Sequence, residues 1–89
     1  MLRISTAEQS EDSVLLRVEG RLVSQWADEL ERQCACWLSS VQEVRLDLSG
    51  VTLVDRHAAR VLRALLARPI RVVRISQLIA DFLGEENAP

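Results

Sequence analysis

Residues 44 to 67 of the chain, V-R-L-D-L-S-G-V-T-L-V-D-R-H-A-A-R-V-L-R-A-L-L-A, change hydrophobic period once, and that change limits what can be built around them. Val44, Leu46 and Leu48 are apolar and alternate with Arg45, Asp47 and Ser49. Period two is the mark of a strand with one buried face. Ser49-Gly50 interrupts the alternation, and Val51 to Val54 reads as a short apolar crossing. Asp55 then stands where a helix N-cap belongs. Beyond it Ala58, Val61, Leu62, Leu65 and Leu66 recur at helical spacing. The stretch is therefore expected to be strand, tight connection and helix, with Asp55-Arg56-His57 at the junction. In α/β domains functional groups collect at such junctions, beyond the carboxyl end of a strand.

The rest of the chain fits around this unit. Leu2 to Thr6 begins an alternating strand, Ser10 to Ser13 is a polar turn, and Val14, Leu16 and Val18 alternate in a second strand that Gly20 is expected to end. Ser24 is the expected N-cap of a first helix, with Asp28 and Glu29 near its positive end. Trp26, Leu30, Cys34, Trp37 and Leu38 form its apolar face, and Ser39-Ser40 closes it. Core packing is the expectation for both tryptophans, with Trp37 the better candidate for an interface aromatic. Arg68-Pro69 stops the second helix. Ile70 to Ile75 is a β-rich run, and Ser76 can cap a short last helix that Gly84 terminates. Residues 1–84 then form a single domain and residues 85–89 a flexible tail.

The order is β-β-α-β-α-β-α. Strands separated by a helix are parallel, whereas the opening hairpin is antiparallel, so the four-stranded sheet is mixed. Arg17, Glu19, Arg45 and Asp47 lie opposite the apolar residues of their strands. A sheet covered on both faces has continuously apolar strands. The helices are therefore expected mainly on one face.

At 89 residues the chain can bury roughly two-thirds of its unfolded surface in one core. A net charge of −2 gives no reason to expect a nucleic-acid or acidic-membrane partner. No apolar run reaches the ~20 residues of a membrane span, and Met1 to Ser5 lacks the apolar core of a signal peptide. A cytoplasmic protein is expected. Cys34 and Cys36 point about 200° apart on a helix, so they are not expected to pair, and no second Cys or His pair stands at metal spacing. No cofactor is expected.

Leu46 to Asp55, L-D-L-S-G-V-T-L-V-D, resembles the signature of STAS domains, the family of bacterial anti-sigma-factor antagonists and sulfate-transporter tails. Val14 to Leu22 is similar to the strand and Gly-x-Leu turn that precede that family's first helix, and the element order fits from about residue 2 to 83. The resemblance implies a STAS-like α/β fold and a non-enzymatic interaction domain. Its partner would be an anti-sigma factor, a kinase-like regulator or another STAS-like chain, and binding would be controlled by phosphorylation of a Ser or Thr after the aspartate. Here Asp55 is followed by Arg56, His57, Ala58 and Ala59 instead of hydroxyl, hydroxyl and glycine, and His57 aligns with the phosphoacceptor. The phosphorylation switch is expected to be absent. The family's final strand and helix are expected to have no counterpart in this sequence.

The expected partner-binding residues are Asp55, Arg56, His57, Arg60, Arg63 and Ser24. Asp55 has a capping role compatible with partner contact. His57 reads as a surface residue of the first helical turn, open to a partner contact. Arg56, Arg60 and Arg63, at i, i+4 and i+7, share one helix face that is either simply solvated or a docking surface for an acidic partner. Sheet edges make a homodimer possible. The alternative to a binding module is a sensor of a nucleotide or other anion at the start of the second helix. Only 3 glycines and the lack of a phosphate loop weigh against it. No nucleophile triad or metal cluster is legible, so no enzyme is expected.

Overall fold

A computed structural model describes residues 1–86 of the chain. Strands β1 (Leu2–Gln9) and β2 (Ser13–Leu22) form the hairpin, helix α1 (Gln25–Leu38) follows, then β3 (Glu43–Val54), α2 (Arg56–Leu65), β4 (Ile70–Ile75) and α3 (Gln77–Glu86). The sheet order is β1-β2-β3-β4. β1 and β2 are antiparallel, and β2 with β3 and β3 with β4 are parallel. This is the expected mixed sheet. The hairpin turn closes through Ser10 N–H to the Ser13 carbonyl at 2.8 Å, while the Ser10 hydroxyl accepts Ser13 N–H at 3.2 Å. Serine favours turns because its hydroxyl bonds the nearby backbone.

One core lies between the sheet and the helices. Val14, Leu16, Val18 and Leu22 of β2 and Val44, Leu46 and Leu48 of β3 face it, with Leu30 and Cys34 of α1, Leu62 and Leu65 of α2 and Ile79 of α3. Burial pushes the Cys34 thiol up to about 11, so it behaves as a small apolar side chain. Trp37 packs against this core. It is therefore a packing residue, where an exposed interface aromatic was the alternative. Ser76 caps α3 as expected, its hydroxyl accepting Ile79 N–H at 3.3 Å.

Several expectations are corrected. Ser49-Gly50 does not end the third strand. β3 continues to Val54, and its partners shift between Arg17/Glu19 and between Gly20/Arg21 of β2. At each shift β3 spends one residue more than β2, which is a β-bulge. The inward position accordingly moves by three, from Leu48 to Val51 to Val54, all buried. Period two thus fails while the strand persists. Gly20 does not end β2 either; Leu22, at 0% exposure, still faces the core. Leu66 lies beyond α2 and is exposed, whereas Ala59 is buried. α3 passes through Gly84 to Glu86, because a glycine followed by further helix-compatible residues need not terminate a helix. Residues 87–89 of the expected tail lie outside the described residues.

Gly20 has φ +104°, and a Cβ there would stand 2.5 Å from the Met1 carbonyl oxygen. Only glycine adopts this backbone without strain. Gly20→Ala is expected to destabilise the fold by about 1.5 kcal/mol, measured by urea unfolding. A midpoint equal to that of the parent protein would show that the hairpin start relaxes freely.

Candidate functional site

The start of α2 is assembled by one carboxylate. Asp55 is extended (φ −93°, ψ 179°), as N-cap residues are. Its Oδ1 accepts Ala58 N–H at 2.8 Å, the cap bond expected of it. Its Oδ2 reaches across 31 residues of sequence and accepts Ser24 N–H at 2.9 Å and the Ser24 hydroxyl at 3.3 Å. Burial raises the Asp55 pKa, but the bonds from Ala58 and Ser24, aided by His57, outweigh it and hold the carboxyl below its ordinary 3.8. Asp55 is therefore both a cap and the fastening of the β2–α1 loop.

This changes the role of Ser24. It occupies the N-cap position of α1, yet its side chain makes no cap bond there, and its φ is +49°. Its hydroxyl and its N–H are both turned to Asp55. The expected local cap is replaced by a long-range tie that no pattern of neighbouring residues announces.

His57 Nε2 lies 2.8 Å from Asp28 Oδ1, in the first turn of α1. An ionised carboxylate only accepts, so Nε2 carries the proton in this pair. Both side chains remain about half exposed. The bond ties the start of α2 to that of α1, and Asp28 is a residue whose connection to this site the sequence did not reveal. Its position in the first turn of α1 was legible as a favourable helix-dipole charge only.

The arginines of α2 do not form one uniform stripe. Arg56 and Arg60 are exposed, whereas Arg63 is half-buried, and its Nη1 is buried without a hydrogen-bond partner among the described residues. The long stem of an arginine can cover apolar surface, but a buried N–H donor without a partner is unfavourable. The junction thus brings together Ser24, Asp28, Asp55, Arg56 and His57, with Arg60 one turn further on, and leaves Arg63 to the side. At the α2 N-terminus the Asp55 carboxylate already holds the place that a bound anion would take.

Thr52 and Ser49 serve the bulged strand. The Thr52 hydroxyl donates to the Gly20 carbonyl at 3.2 Å, and Ser49 donates its N–H and hydroxyl to Asp47 Oδ1 at 3.0 and 2.6 Å. Beyond the junction, Thr52, Leu53, Val54, Leu78, Ile79 and Phe82 line an apolar hollow of about 230 Å³ between β3 and α3. Among the described residues no helix is long and apolar enough to cross a membrane.

Comparison with known proteins places this geometry in context. The family model of the STAS domain matches residues 5–76. Among solved structures, unphosphorylated SpoIIAA, an anti-sigma factor antagonist, is similar with a TM-score of 0.68 at 10% identity, covering 92% of this chain and 82% of that one. Phosphorylated SpoIIAA, described as a Bacillus cell fate determinant, is similar with a TM-score of 0.58 at 14% identity, covering 96% and 84%. An uncharacterised protein of the DUF3478 family from Shewanella loihica PV-4, with a SpoIIAA-like fold, has a TM-score of 0.59 at 14% identity, covering 99% and 80%. At these identities the likeness is one of fold. No curated protein matches the sequence significantly.

Proposed function

The chain belongs to the STAS domain family, and from that premise we propose that it is a non-catalytic regulatory module of the anti-sigma-factor-antagonist type that binds its partner without a phosphorylation switch. The observation that carries the reading is the composition of the α2 start. Asp55 is present and engaged, but the residues after it are Arg56, His57, Ala58 and Ala59, with no hydroxyl among them. His57, at the aligned position, is engaged with Asp28. A phosphoryl group on Nε2 would displace that bond. The docking surface is then the first turn and exposed face of α2, with Ser24 beside it. Asp55, Ser24 and His57 hold its shape, Arg56 and Arg60 present charge to an acidic partner, and Arg63 completes the face at its margin.

The partner is an anti-sigma factor, a kinase-like regulator or another STAS-like chain in the cytoplasm, and a homodimer through the exposed sheet edges belongs to the same proposal. The test is affinity capture from the source organism with the parent protein and with an Arg56→Glu/Arg60→Glu variant of unchanged melting temperature. A partner retained by the parent and lost by at least about tenfold in the variant is expected, since like charges across an interface cost several kcal/mol. Equal retention would remove α2 as the docking face. Incubation with phosphodonors and whole-cell kinases, followed by intact-mass analysis, is expected to leave the mass unchanged. A mass increase of one phosphoryl group would overturn the switchless reading. Light scattering that detects only monomer at every concentration would remove the homodimer.

A further inference from the structure

The face of the sheet turned away from the helices carries arginines in an arrangement that folding does not require. Register places Arg17, Asp47 and Arg74 in one row across β2, β3 and β4, and Arg45 beside Arg71 in the next. Asp47 is 3% exposed, and it is already engaged. Its Oδ1 accepts from Ser49, and its Oδ2 lies 3.7 Å from Arg17 Nε. The Ser49 hydroxyl first, then the Ser49 N–H, hold its carboxyl below the ordinary range against the effect of burial, with Arg74 and Arg17 adding to them.

Asp47 thus pairs directly with Arg17 and also acts on Arg74. Arg45, Arg71 and Arg74 form no ion pair within 4.0 Å among the described residues. Arg45 and Arg71 are direct cross-strand neighbours, and like charges in that position destabilise a sheet. Arginines on β4 have a structural use, because charge on an edge strand prevents unwanted pairing. That use does not extend to Arg45, which sits on the interior strand β3. The other carboxylates of this face are placed differently. Glu8 of β1 is opposite Leu15, two strands from Arg45 in the same row, Glu19 faces Arg3 of β1 and leans over Gly50, and Glu43 lies two residues along β3 from Arg45.

A group of three guanidinium ions on one open sheet face, only partly compensated by Asp47 and Glu43, fits a ligand with several negative charges. Neighbouring strands lie about 4.8 Å apart, so Arg45 and Arg71 can hold one carboxylate between them and Arg74 a second. Nucleic acid is the poorer fit. Proteins that bind single strands stack bases on aromatic side chains. Here Trp26 and Trp37 are on α1 and Phe82 is on α3, and they are all the aromatic residues besides His57. We propose that the open sheet face around Arg45, Arg71 and Arg74 is a second docking surface, which takes an acidic segment of a partner protein. It lies on the side of the sheet opposite α2, so the domain would hold two proteins at once, and the inference does not depend on the α2 surface.

Fluorescence anisotropy with a fluorescein-labelled oligoglutamate peptide at low salt tests it, with an oligothymidylate of equal charge as the nucleic-acid probe. The parent protein is expected to bind the peptide, and Arg45→Gln/Arg71→Gln/Arg74→Gln to weaken it by about tenfold or more. Arg32→Gln/Arg68→Gln, at two arginines that lie off this face and beside Glu29 and Glu31, is expected to leave it unchanged. Arg45→Lys/Arg71→Lys/Arg74→Lys, which keeps the charge, serves if the glutamine variant does not fold, and is expected to retain weaker binding. Amide chemical-shift changes in the parent protein are expected on β3 and β4. No binding by the parent, shifts confined to α2, an equal loss in the Arg32/Arg68 variant, or tighter binding of the oligothymidylate would each overturn the proposal.

Discussion

Replacing Leu46 with alanine is expected to cost about 3 kcal/mol of stability, the largest effect of any single change considered for this domain. Leu46 sits on β3, is fully buried, and faces Leu16 of β2 and Val72 of β4 in the parallel ladders. Both neighbouring strands are held in place by backbone bonds, so the surroundings cannot collapse into the space left by the missing methyl groups. The cost is then the lost transfer free energy of those groups together with that of the cavity. A domain of this length has about 5–10 kcal/mol in hand. At roughly 4–8 °C per kcal/mol the melting temperature falls by about 15 °C. Calorimetry measures it. A fall of under about 5 °C would mean that the core around β3 repacks, in conflict with its close-packed description.

Replacing Asp55 with alanine is expected to cost about 2 kcal/mol, more than the ~1 kcal/mol of a cap alone. The excess comes from Ser24, whose N–H and hydroxyl lose their acceptor together with Ala58 N–H. The effect depends on pH in a direction that follows from the lowered pKa of Asp55. A carboxyl whose folded pKa is depressed contributes its full stabilisation above its unfolded value near 3.9, and that contribution disappears as pH falls through the folded value. The difference between parent and Asp55→Ala is therefore expected to be constant from neutral pH down to about 5 and to shrink below about 4. Asp55→Asn, which can still accept hydrogen bonds, is expected to fall between the two at neutral pH. A parent–alanine difference that grows on acidification would contradict the assignment. Loss of the Ser24 tie also loosens the β2–α1 loop beside the proposed docking surface. The same variant is thus expected to bind its partner more weakly even where it remains folded.

The unequal legibility of these two residues has a physical basis. Leu46 lies in an unbroken alternation, and the helix cap of Asp55 involves residues three apart, so both were readable from neighbours in sequence. The tie from Asp55 to Ser24 and the bond from His57 to Asp28 join residues 31 and 29 positions apart. Such pairs exist only once α1 and α2 are laid side by side on the sheet. Alternation with Leu46 and Leu48 puts Asp47 on the sheet face opposite the core, which by itself predicts exposure. Its burial depends on Arg17 and Ser49 covering it, and Arg17 belongs to the neighbouring strand.

The break at Ser49-Gly50 marks the boundary between the two kinds of information. Period alone determined that the chain makes a β-β-α-β-α-β-α domain with a one-sided sheet, because burying an apolar stripe is a local demand that each element states in its own residues. The loss of period at Ser49-Gly50 was equally visible, but its meaning was not. A bulge is two residues opposite one, and the count requires the partner strand. Only the pairing of β3 with β2 showed that the strand continues through Gly50 to Val54 and delivers Asp55 beside Ser24. The same pairing brought Arg45, Arg71 and Arg74 onto one face, from strands that are separated in sequence by α2. Hydrophobic periodicity chose the elements; register between strands chose which charged and hydroxyl groups meet.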